Sequence, residues 1–206
     1  SLIDKMHYTP EEIVALYKKY HTPRNVIKHM VKVAKYAKKL TKKLSKKGHK
    51  INKKLVEEAA LLHDLVRVCD FRELSLKKLK QTVTSEDLKQ WLHLREKYKT
   101  IGHVKAAAQI LNKLGRRKLA SLIKKHDFFE VDNLKTWEEK ILYYADKRVD
   151  GYRMVSLKRR FKKGKKRNLR PGESLRKLQA IEKKVFKLEQ EIKQALKAPT
   201  KPTANH

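Results

Sequence analysis

The chain has 206 residues, of which 54 are Lys or Arg and 22 are Asp or Glu, so its formal net charge is +32. Hydrophobic residues make up 40% of it, which is enough for one domain with a buried core. No apolar stretch approaches the roughly 20 residues that a transmembrane helix needs, and the N-terminal residues lack the apolar segment of a signal peptide. Cys69 is the only cysteine, so no internal disulfide can form, and we expect a cytoplasmic location.

The positive charge permits two interpretations. A field of this strength attracts polyanions and would make binding to RNA or another nucleic acid strongly salt-dependent. Most of the charge, however, comes from lysines that are spread along the whole chain, as on a solvated surface. Charge alone therefore assigns no nucleic-acid-binding function.

The composition favours helix along nearly the whole chain, because Lys, Leu, Ala and Glu are abundant while Gly and Pro number only 6 and 5. The first helix should have Thr9 as its N-cap and Pro10 in its first turn. A second helix should follow Pro23. A third should begin at Asn52 and run through the segment LVEEAALLHDLV.

The middle of the chain is less regular in its pattern. Residues 69–98 are predicted to form short helices joined by polar turns, which could act as a lid or as an ordinary packing insertion. Further helices are expected at about 100–114, 116–127 and 134–150, where apolar residues recur at helical spacing. The main domain is expected to cover residues 1–155.

The C-terminal part has two predicted elements and a tail. Residues 156–173 should be a basic linker, because they combine Lys and Arg with glycine and proline breakers. Over residues 174–197, apolar residues recur at three- and four-residue steps, which predicts a long amphipathic helix. That helix could pair with a second copy of the chain, but its single stripe is expected to fold back onto the domain. Residues 198–206 are predicted to be disordered.

The most informative residues are histidines and aspartates with apolar neighbours at helical spacing. They occur one after another on the successive predicted core helices: His29, His63, Asp64, His103, His126 and Asp146. Burying an ionised carboxylate without a partner is very unfavourable, so proteins pair such groups with a cation or give them a metal ion. Imidazole and carboxylate together suit Fe or Mn, and suit Zn or Mg less well.

Each of these residues has an ordinary structural explanation when it is considered alone. A histidine on an apolar helix face is usually a hydrogen-bonded core residue. Asp64 could pair with Arg67, and Asp146 could pair with Lys147. Six such positions on successive helices are much harder to explain in this way, and they predict one shared polar site.

The order of these residues resembles the HD-domain superfamily of metal-dependent phosphohydrolases, which is named for an adjacent His–Asp pair. The resemblance covers roughly residues 20–150 and is carried by the segments LLHDLVR, GHVKAAAQIL, LIKKHD and YYADKRV. The second and third segments resemble the HDIG-like subgroup, which adds two histidines and holds two metal ions. The resemblance implies an all-α helical bundle, here with an additional long C-terminal helix, that hydrolyses phosphomonoesters or phosphodiesters, often in nucleotides.

The resemblance also assigns roles by position. It implies six metal ligands, namely His29, His63, Asp64, His103, His126 and Asp146. Asp64 would bridge two divalent ions, and His103 and His126 would complete the second site. Arg67 stands where the HDIG-like subgroup has a basic residue, whereas HD-type nucleotidases often have Glu there. His93 is a reserve ligand.

The hypothesis for the mechanism is attack on phosphorus by a metal-activated hydroxide. Its candidate catalytic residues are Asp64, Arg67 and Lys147. The positive side chains of Arg67 and Lys147 are candidates for offsetting the charge that develops on the phosphoryl oxygens. Arg67 could equally be an exposed salt-bridge partner, and Lys147 is expected at the surface rather than in catalysis.

A second hypothesis is a non-catalytic or regulatory HD domain that binds RNA or another polyanion through its basic surface. The Lys- and Arg-rich run around Phe161 suits phosphate contacts beside one stacking aromatic ring, or it is a solvated charged segment. The complete ligand set favours the enzyme. The expected partner is then a phosphorylated small molecule or nucleotide and no membrane, with the oligomeric state open.

Overall fold

The fold was analysed in a computed structural model that describes residues 2, 6–74, 79–168 and 174–200, with side chains except those at 165–168. Within these ranges the regular secondary structure is helical apart from one two-stranded hairpin. The predicted all-α bundle with a long C-terminal helix is therefore confirmed. None of the described helices is both long and apolar enough to cross a bilayer.

Nine α-helices of the described residues are labelled here in chain order. They are α1 (Pro10–Lys19), α2 (Arg24–Lys46), α3 (Lys53–Leu62), α4 (Ser85–Tyr98), α5 (Gly102–Lys113), α6 (Arg117–Lys124), α7 (Trp137–Lys147), α8 (Leu157–Asn168) and α9 (Leu175–Lys197). Two short 3₁₀ helices lie at Arg67–Asp70 and Phe128–Asn133, and β1 (Val149–Asp150) pairs antiparallel with β2 (Arg153–Met154).

Side-chain caps define where several helices begin. The hydroxyl of Thr9 accepts from the backbone N–H of Glu12, whose carboxylate accepts from the N–H of Thr9, and this capping box starts α1 as predicted. Equivalent boxes begin α4 after Thr84 and α7 after Thr136. Asn52 caps α3. Since each cap satisfies otherwise unpaired N–H groups, these starting points are encoded locally.

The helix α2 lies at the centre of one part of the bundle. Its buried face is almost entirely apolar and includes Met30, Val33 and Leu44. It packs against α3, α7 and β1, while α5 packs against α6 and the first 3₁₀ helix. Each fully buried side chain of this kind stabilises the fold by about 1.5–3 kcal/mol, which holds the surrounding helices at fixed positions.

The C-terminal helix α9 folds back onto the bundle. Ile181, Val185 and Ile192 are buried in the same hydrophobic core as the other helices. A polar contact also ties it down, because the hydroxyl of Tyr144 on α7 donates to Glu189 Oε2 at 2.6 Å. The expectation that the apolar stripe covers the domain itself is therefore confirmed.

Two predicted elements differ from the structure near the middle of the chain. α3 ends at Leu62, so the His63–Asp64 pair lies in the turn after the helix and not inside it. The region predicted as short helices contains the 14-residue helix α4, which buries Trp91, Leu94 and Tyr98. Its capping box and apolar stripe support a longer helix than the polar turns suggested.

The predicted basic linker is also wrong over the residues that are described. Residues 157–168 form α8, because Leu157 and Phe161 lie one turn apart and are both buried in the core. Gly164 is accommodated inside this helix. The remaining linker residues, 169–173, and positions 201–206 of the predicted tail lie outside the described residues.

Candidate metal centre

All six residues predicted as metal ligands lie in one site, although they come from five different parts of the fold. α2 supplies His29, the turn after α3 supplies His63 and Asp64, α5 supplies His103, the turn after α6 supplies His126, and α7 supplies Asp146. Five of the six are buried, and His63 has no solvent-exposed surface. His29 is partly exposed and faces a cleft that opens to solvent.

The six residues form two overlapping groups. The potential ligand atoms of His29, His63 and Asp64 all lie within 4.8 Å of one another, and so do those of Asp64, His103 and His126. Asp64 belongs to both groups, which is the position that the bridging role requires. Asp146 completes the first group, because its Oδ1 lies 3.0 Å from His29 Nε2 and 3.4 Å from His63 Nε2.

The outer ring nitrogen of three histidines is held by the backbone. Each Nδ1 lies at hydrogen-bonding distance from a carbonyl oxygen, and these oxygens belong to Gly151, Ala60 and Ile123, at 2.6, 2.8 and 2.5 Å from His29, His63 and His126 respectively. A carbonyl can only accept, so each Nδ1 carries a proton and donates it. The neutral ring then presents an unprotonated Nε2 to the site, as a metal ligand must.

The fourth histidine, His103, is held by a carboxylate. Asp70 Oδ2 lies 2.5 Å from His103 Nδ1 and also accepts the backbone N–H of His103 at 3.2 Å. Burial raises the pKa of Asp70, but hydrogen bonds from His103 outweigh it, so the pKa lies below its usual value. The preceding residue, Gly102, has φ of +77°, which favours glycine, and a Cβ there would approach Asp70 Oδ2 to 3.4 Å.

Asp70 is thus a functional residue that the sequence analysis did not identify. It lies in the first 3₁₀ helix, where its neighbours at the three-residue spacing are the charged Arg67 and Glu73, and its partner is 33 residues further along the chain. The weak signal in the sequence is a glycine directly before His103, which is where the backbone must turn to meet the carboxylate.

The inner ring nitrogens face carboxylates and require additional positive charge. Asp64 Oδ1 lies 3.1 Å from His103 Nε2 and 3.5 Å from His126 Nε2. His63 Nε2 is completely buried and has no hydrogen-bond partner among the described residues. Because the single proton of each neutral ring is on Nδ1, only a second proton or a metal ion can lie between Nε2 and the carboxylates. A buried imidazolium is costly, so a metal ion fits this arrangement best.

The electrostatics of the acidic residues and His126 agree with this fit. Burial raises the pKa of Asp64 and of Asp146, but His63 beside the former and Lys147 beside the latter hold both pKa values well below the usual range. Burial lowers the pKa of His126 below its ordinary value. Ionised carboxylates and neutral imidazoles are the states in which these groups bind metal.

The pKa of His63 is raised instead of lowered, and a cation at the site would remove the cause. Burial alone lowers its pKa, but the charges of Asp64 and Asp146 outweigh burial and raise it. A positive ion between these groups would satisfy both carboxylates, so the attraction for a proton on His63 would be lost.

Arg67 lines the same cleft as the candidate ligands. One guanidinium nitrogen lies 3.0 Å from His103 Nδ1 and 3.9 Å from Asp70 Oδ2, and 40% of the side chain is exposed. The same nitrogen lies 3.3 Å from His103 Nε2, and its carboxylate neighbour Asp70 is beyond hydrogen-bonding distance, so the guanidinium has no close carboxylate partner among these contacts. It can therefore reach an anionic ligand in the cleft.

Lys147 is placed differently from the sequence expectation of a surface residue. It is 7% exposed, and its Nζ donates to Asp146 Oδ2 at 2.7 Å and to the carbonyl of His126 at 2.9 Å. It is buried because the adjacent carboxylate needs a counter-charge. The reserve ligand His93 is exposed on α4 and belongs to neither metal-ligand group.

Comparison with known proteins gives one match. A family model described as HD domain matches residues 26–149, a range that includes all six candidate ligands as well as Arg67, Asp70 and Lys147. The match ends before α8 and α9. Searches of curated proteins and of solved structures return no match.

Proposed function

Because the family model covers more than half of its length, the chain belongs to the HD-domain family, and we propose that it is a metal-dependent phosphohydrolase. The proposed reaction is cleavage of a phosphomonoester or phosphodiester bond, with a nucleotide as the preferred class of substrate. One observation carries the proposal: the Nε2 atoms of four histidines converge on two ionised carboxylates, while every Nδ1 has an acceptor of its own.

Two divalent ions would be held by this set. The first would be bound by His29, His63, Asp64 and Asp146, and the second by Asp64, His103 and His126, the arrangement of the HDIG-like subgroup. The mixture of nitrogen and oxygen ligands favours Fe or Mn over Zn or Mg. When bound, such ions lower the pKa of a water ligand to about 7, which supplies a hydroxide nucleophile near neutral pH.

Three side chains around the site would have different roles in the proposed reaction. Asp64 would stay ionised and join the two halves of the site. Arg67 is a cation that could contact a phosphoryl oxygen directly, because its guanidinium borders the cleft beside His103 and lies 3.9 Å from its nearest recorded carboxylate, Asp70. Lys147 is instead a positioning residue, since its ammonium group is occupied by Asp146 and by the carbonyl of His126.

The first test is metal content, measured by mass spectrometry on untagged protein purified without chelator. About two transition-metal ions per chain are expected, with hydrolysis in a screen of nucleotides and other phosphate esters. Asp64→Ala should abolish turnover while circular dichroism shows a retained fold. Asp132→Ala is the matched control, because Asp132 is an exposed aspartate that pairs with Lys184 at the surface, away from the candidate ligands.

The proposal fails if no metal binds after incubation with Mn²⁺ or Fe²⁺. It also fails if Asp64→Ala protein retains the turnover of the control.

A second candidate function, binding of RNA or another polyanion, is supported by the basic face of α8. Lys158, Arg159 and Lys162 are exposed on one helix beside the mouth of the cleft, so their spacing is fixed by the backbone. Affinity for a fluorescent single-stranded RNA should fall with salt, with a slope of about −0.7 per phosphate neutralised. No binding at low salt removes this candidate and leaves the hydrolase untouched.

A further inference from the structure

The cleft at the metal centre continues beyond the range that matches the family model. It has a volume of about 730 Å³, and its far side is formed by Phe128 and Phe129 from the second 3₁₀ helix and by Phe161 and Arg160 from α8. The three phenylalanines are called the aromatic wall below. α8 lies after residue 149, where the family match ends.

The rings of the aromatic wall hold one another in fixed orientations. The ring centroids of Phe128 and Phe161 are 6.2 Å apart and those of Phe128 and Phe129 are 5.6 Å apart, both in edge-to-face geometry. A further ring, Phe186 on α9, packs edge-to-face on Phe161 at 5.7 Å but does not line the cleft. Edge-to-face pairs of this kind are favourable beyond simple burial, so the wall is a preformed surface.

The aromatic wall is tied to the metal ligands through short connections. Phe128 follows His126 by two residues, and its carbonyl accepts from the hydroxyl of Tyr143 at 2.8 Å. Tyr143 is on α7, the helix that supplies Asp146. The rings therefore stand at a set position relative to both halves of the candidate metal centre.

The opposite end of the wall is anchored through the β-hairpin. Asp150 on β1 pairs with Arg160 at 3.7 Å and with Lys163, both on α8. The next residue, Gly151, provides the carbonyl that accepts from His29 Nδ1. In addition, Arg160 Nε is buried and has no hydrogen-bond partner among the described residues, which leaves one donor available beside the rings.

We infer that the aromatic wall together with Arg160 is the subsite that selects the substrate, and that it takes a planar aromatic ring such as a nucleobase. The phosphoryl group of the same molecule would lie at the metal centre, so the inference rests on the proposed function. Any nucleobase can stack on a phenylalanine ring, and the guanidinium of Arg160 can add a hydrogen bond or a cation–π contact. The cleft volume suits a ligand of mononucleotide size.

The chemistry of the wall argues against small aliphatic phosphates as the selected substrates. Such molecules would leave the exposed ring of Phe129, which has Lys177 Nζ 5.2 Å from its centroid, without an aromatic partner from the substrate in the bound complex. A nucleobase would provide that contact. The contact changes the free energy of binding of the whole substrate, and it leaves the chemistry of the bond that breaks unchanged.

The test compares two substrates with Phe129→Leu protein loaded with Mn²⁺, because the ring of Phe129 is 43% exposed whereas Phe161 is buried in the core. The substitution keeps an apolar side chain but removes the ring. For a nucleoside monophosphate, KM should rise by roughly 5- to 150-fold, the range given by the loss of one base-stacking contact. For glycerol 2-phosphate, which has no ring, kcat/KM should stay within about twofold. Phe186→Leu is the matched control, because it removes a ring of the same cluster that is outside the cleft.

A second variant and a binding measurement separate the possible failures. Phe161→Leu is the second variant, and it changes a ring that lines the cleft but also packs in the core. Binding of adenosine 5′-monophosphate is followed by calorimetry without reference to turnover. If neither substrate is hydrolysed but nucleotide binding weakens in both wall variants, the proposed function fails and the subsite stands. Unchanged nucleotide affinity in Phe129→Leu and Phe161→Leu, equal losses for both substrates, or no nucleotide binding to the unmodified protein would overturn the inference.

Discussion

Replacing Asp70 by Asn should weaken the second metal site selectively. The carboxylate of Asp70 accepts both the Nδ1 proton and the backbone N–H of His103, and it is the only acidic group that holds the outer nitrogen of one of the four histidines. Asn is nearly isosteric, so the packing beside Gly102 should be retained. What is lost is the negative charge that makes the imidazole of His103 a stronger ligand.

The expected size of the effect follows from that geometry. With the amide oxygen toward His103, both hydrogen bonds survive without charge, and affinity for the second ion should fall about 10-fold. With the amide nitrogen toward His103, the ring must carry its proton on Nε2, which blocks coordination, and the loss should approach 100-fold. These limits correspond to about 1.4 and 2.7 kcal/mol of binding free energy.

The assay is a calorimetric titration of metal-free protein with Mn²⁺, fitted to two sites. The fit gives one dissociation constant for each site. The dissociation constant of the site formed by Asp64, His103 and His126 should rise, whether it is the tighter or the weaker of the two, and that of the site formed by His29 and His63 should not change. Asp132→Asn provides the control, since Asp132 is an exposed aspartate whose recorded ion pair is with Lys184. Unchanged affinity at both steps, or an equal loss at both, would refute the role assigned to Asp70.

Three further results are expected. Gly102→Ala should lower the free energy of unfolding by about 1 kcal/mol or more, measured in urea, because the φ of +77° is strained for alanine; a neutral effect would contradict this. Arg116→Met should lower the free energy of unfolding by about 3 kcal/mol, since it leaves the buried Glu58 without the guanidinium 2.8 Å away, and a loss below 1 kcal/mol would show that the Tyr8 N–H and His7 Nδ1, both 2.6 Å from Glu58, are enough to satisfy it. Removal of metal with a chelator should lower Tm, and re-addition of Mn²⁺ should restore it, because ions bound only by the folded state stabilise it; an unchanged Tm would speak against a bound ion.

The six candidate ligand positions could be brought together from the sequence because each is a polar side chain within an apolar pattern of helical spacing. His103 shares a face of α5 with buried alanine and isoleucine residues, and His126, in the turn after α6, follows buried leucine and isoleucine residues at that spacing, so their inward direction can be derived from spacing alone. The same reasoning failed for Asp70, which is on a short 3₁₀ helix with no such pattern. A contact that is set by tertiary packing leaves no local periodicity to detect.

Two other differences have physical causes that only the folded chain reveals. Lys147 has the sequence pattern of a surface residue, yet the buried carboxylate of Asp146 keeps its ammonium group inside. The basic segment after β2 has a glycine and a high charge, which favour a linker, but burial of Leu157 and Phe161 stabilises a helix there. In both cases a tertiary contact outweighs the local preference.

The hydrogen bond between His29 and Gly151 gives the metal centre a mechanical connection to the substrate side of the cleft. Gly151 lies at the tip of a hairpin, and Asp150 on the first strand of that hairpin forms ion pairs with Arg160 and Lys163 of α8. A displacement of α8 by a molecule bound in the cleft is therefore expected to shift the Gly151 carbonyl, which orients the candidate ligand His29. Thermodynamic reciprocity then demands that a substrate which tightens metal retention is itself held more tightly, by the same factor, once the metal is present.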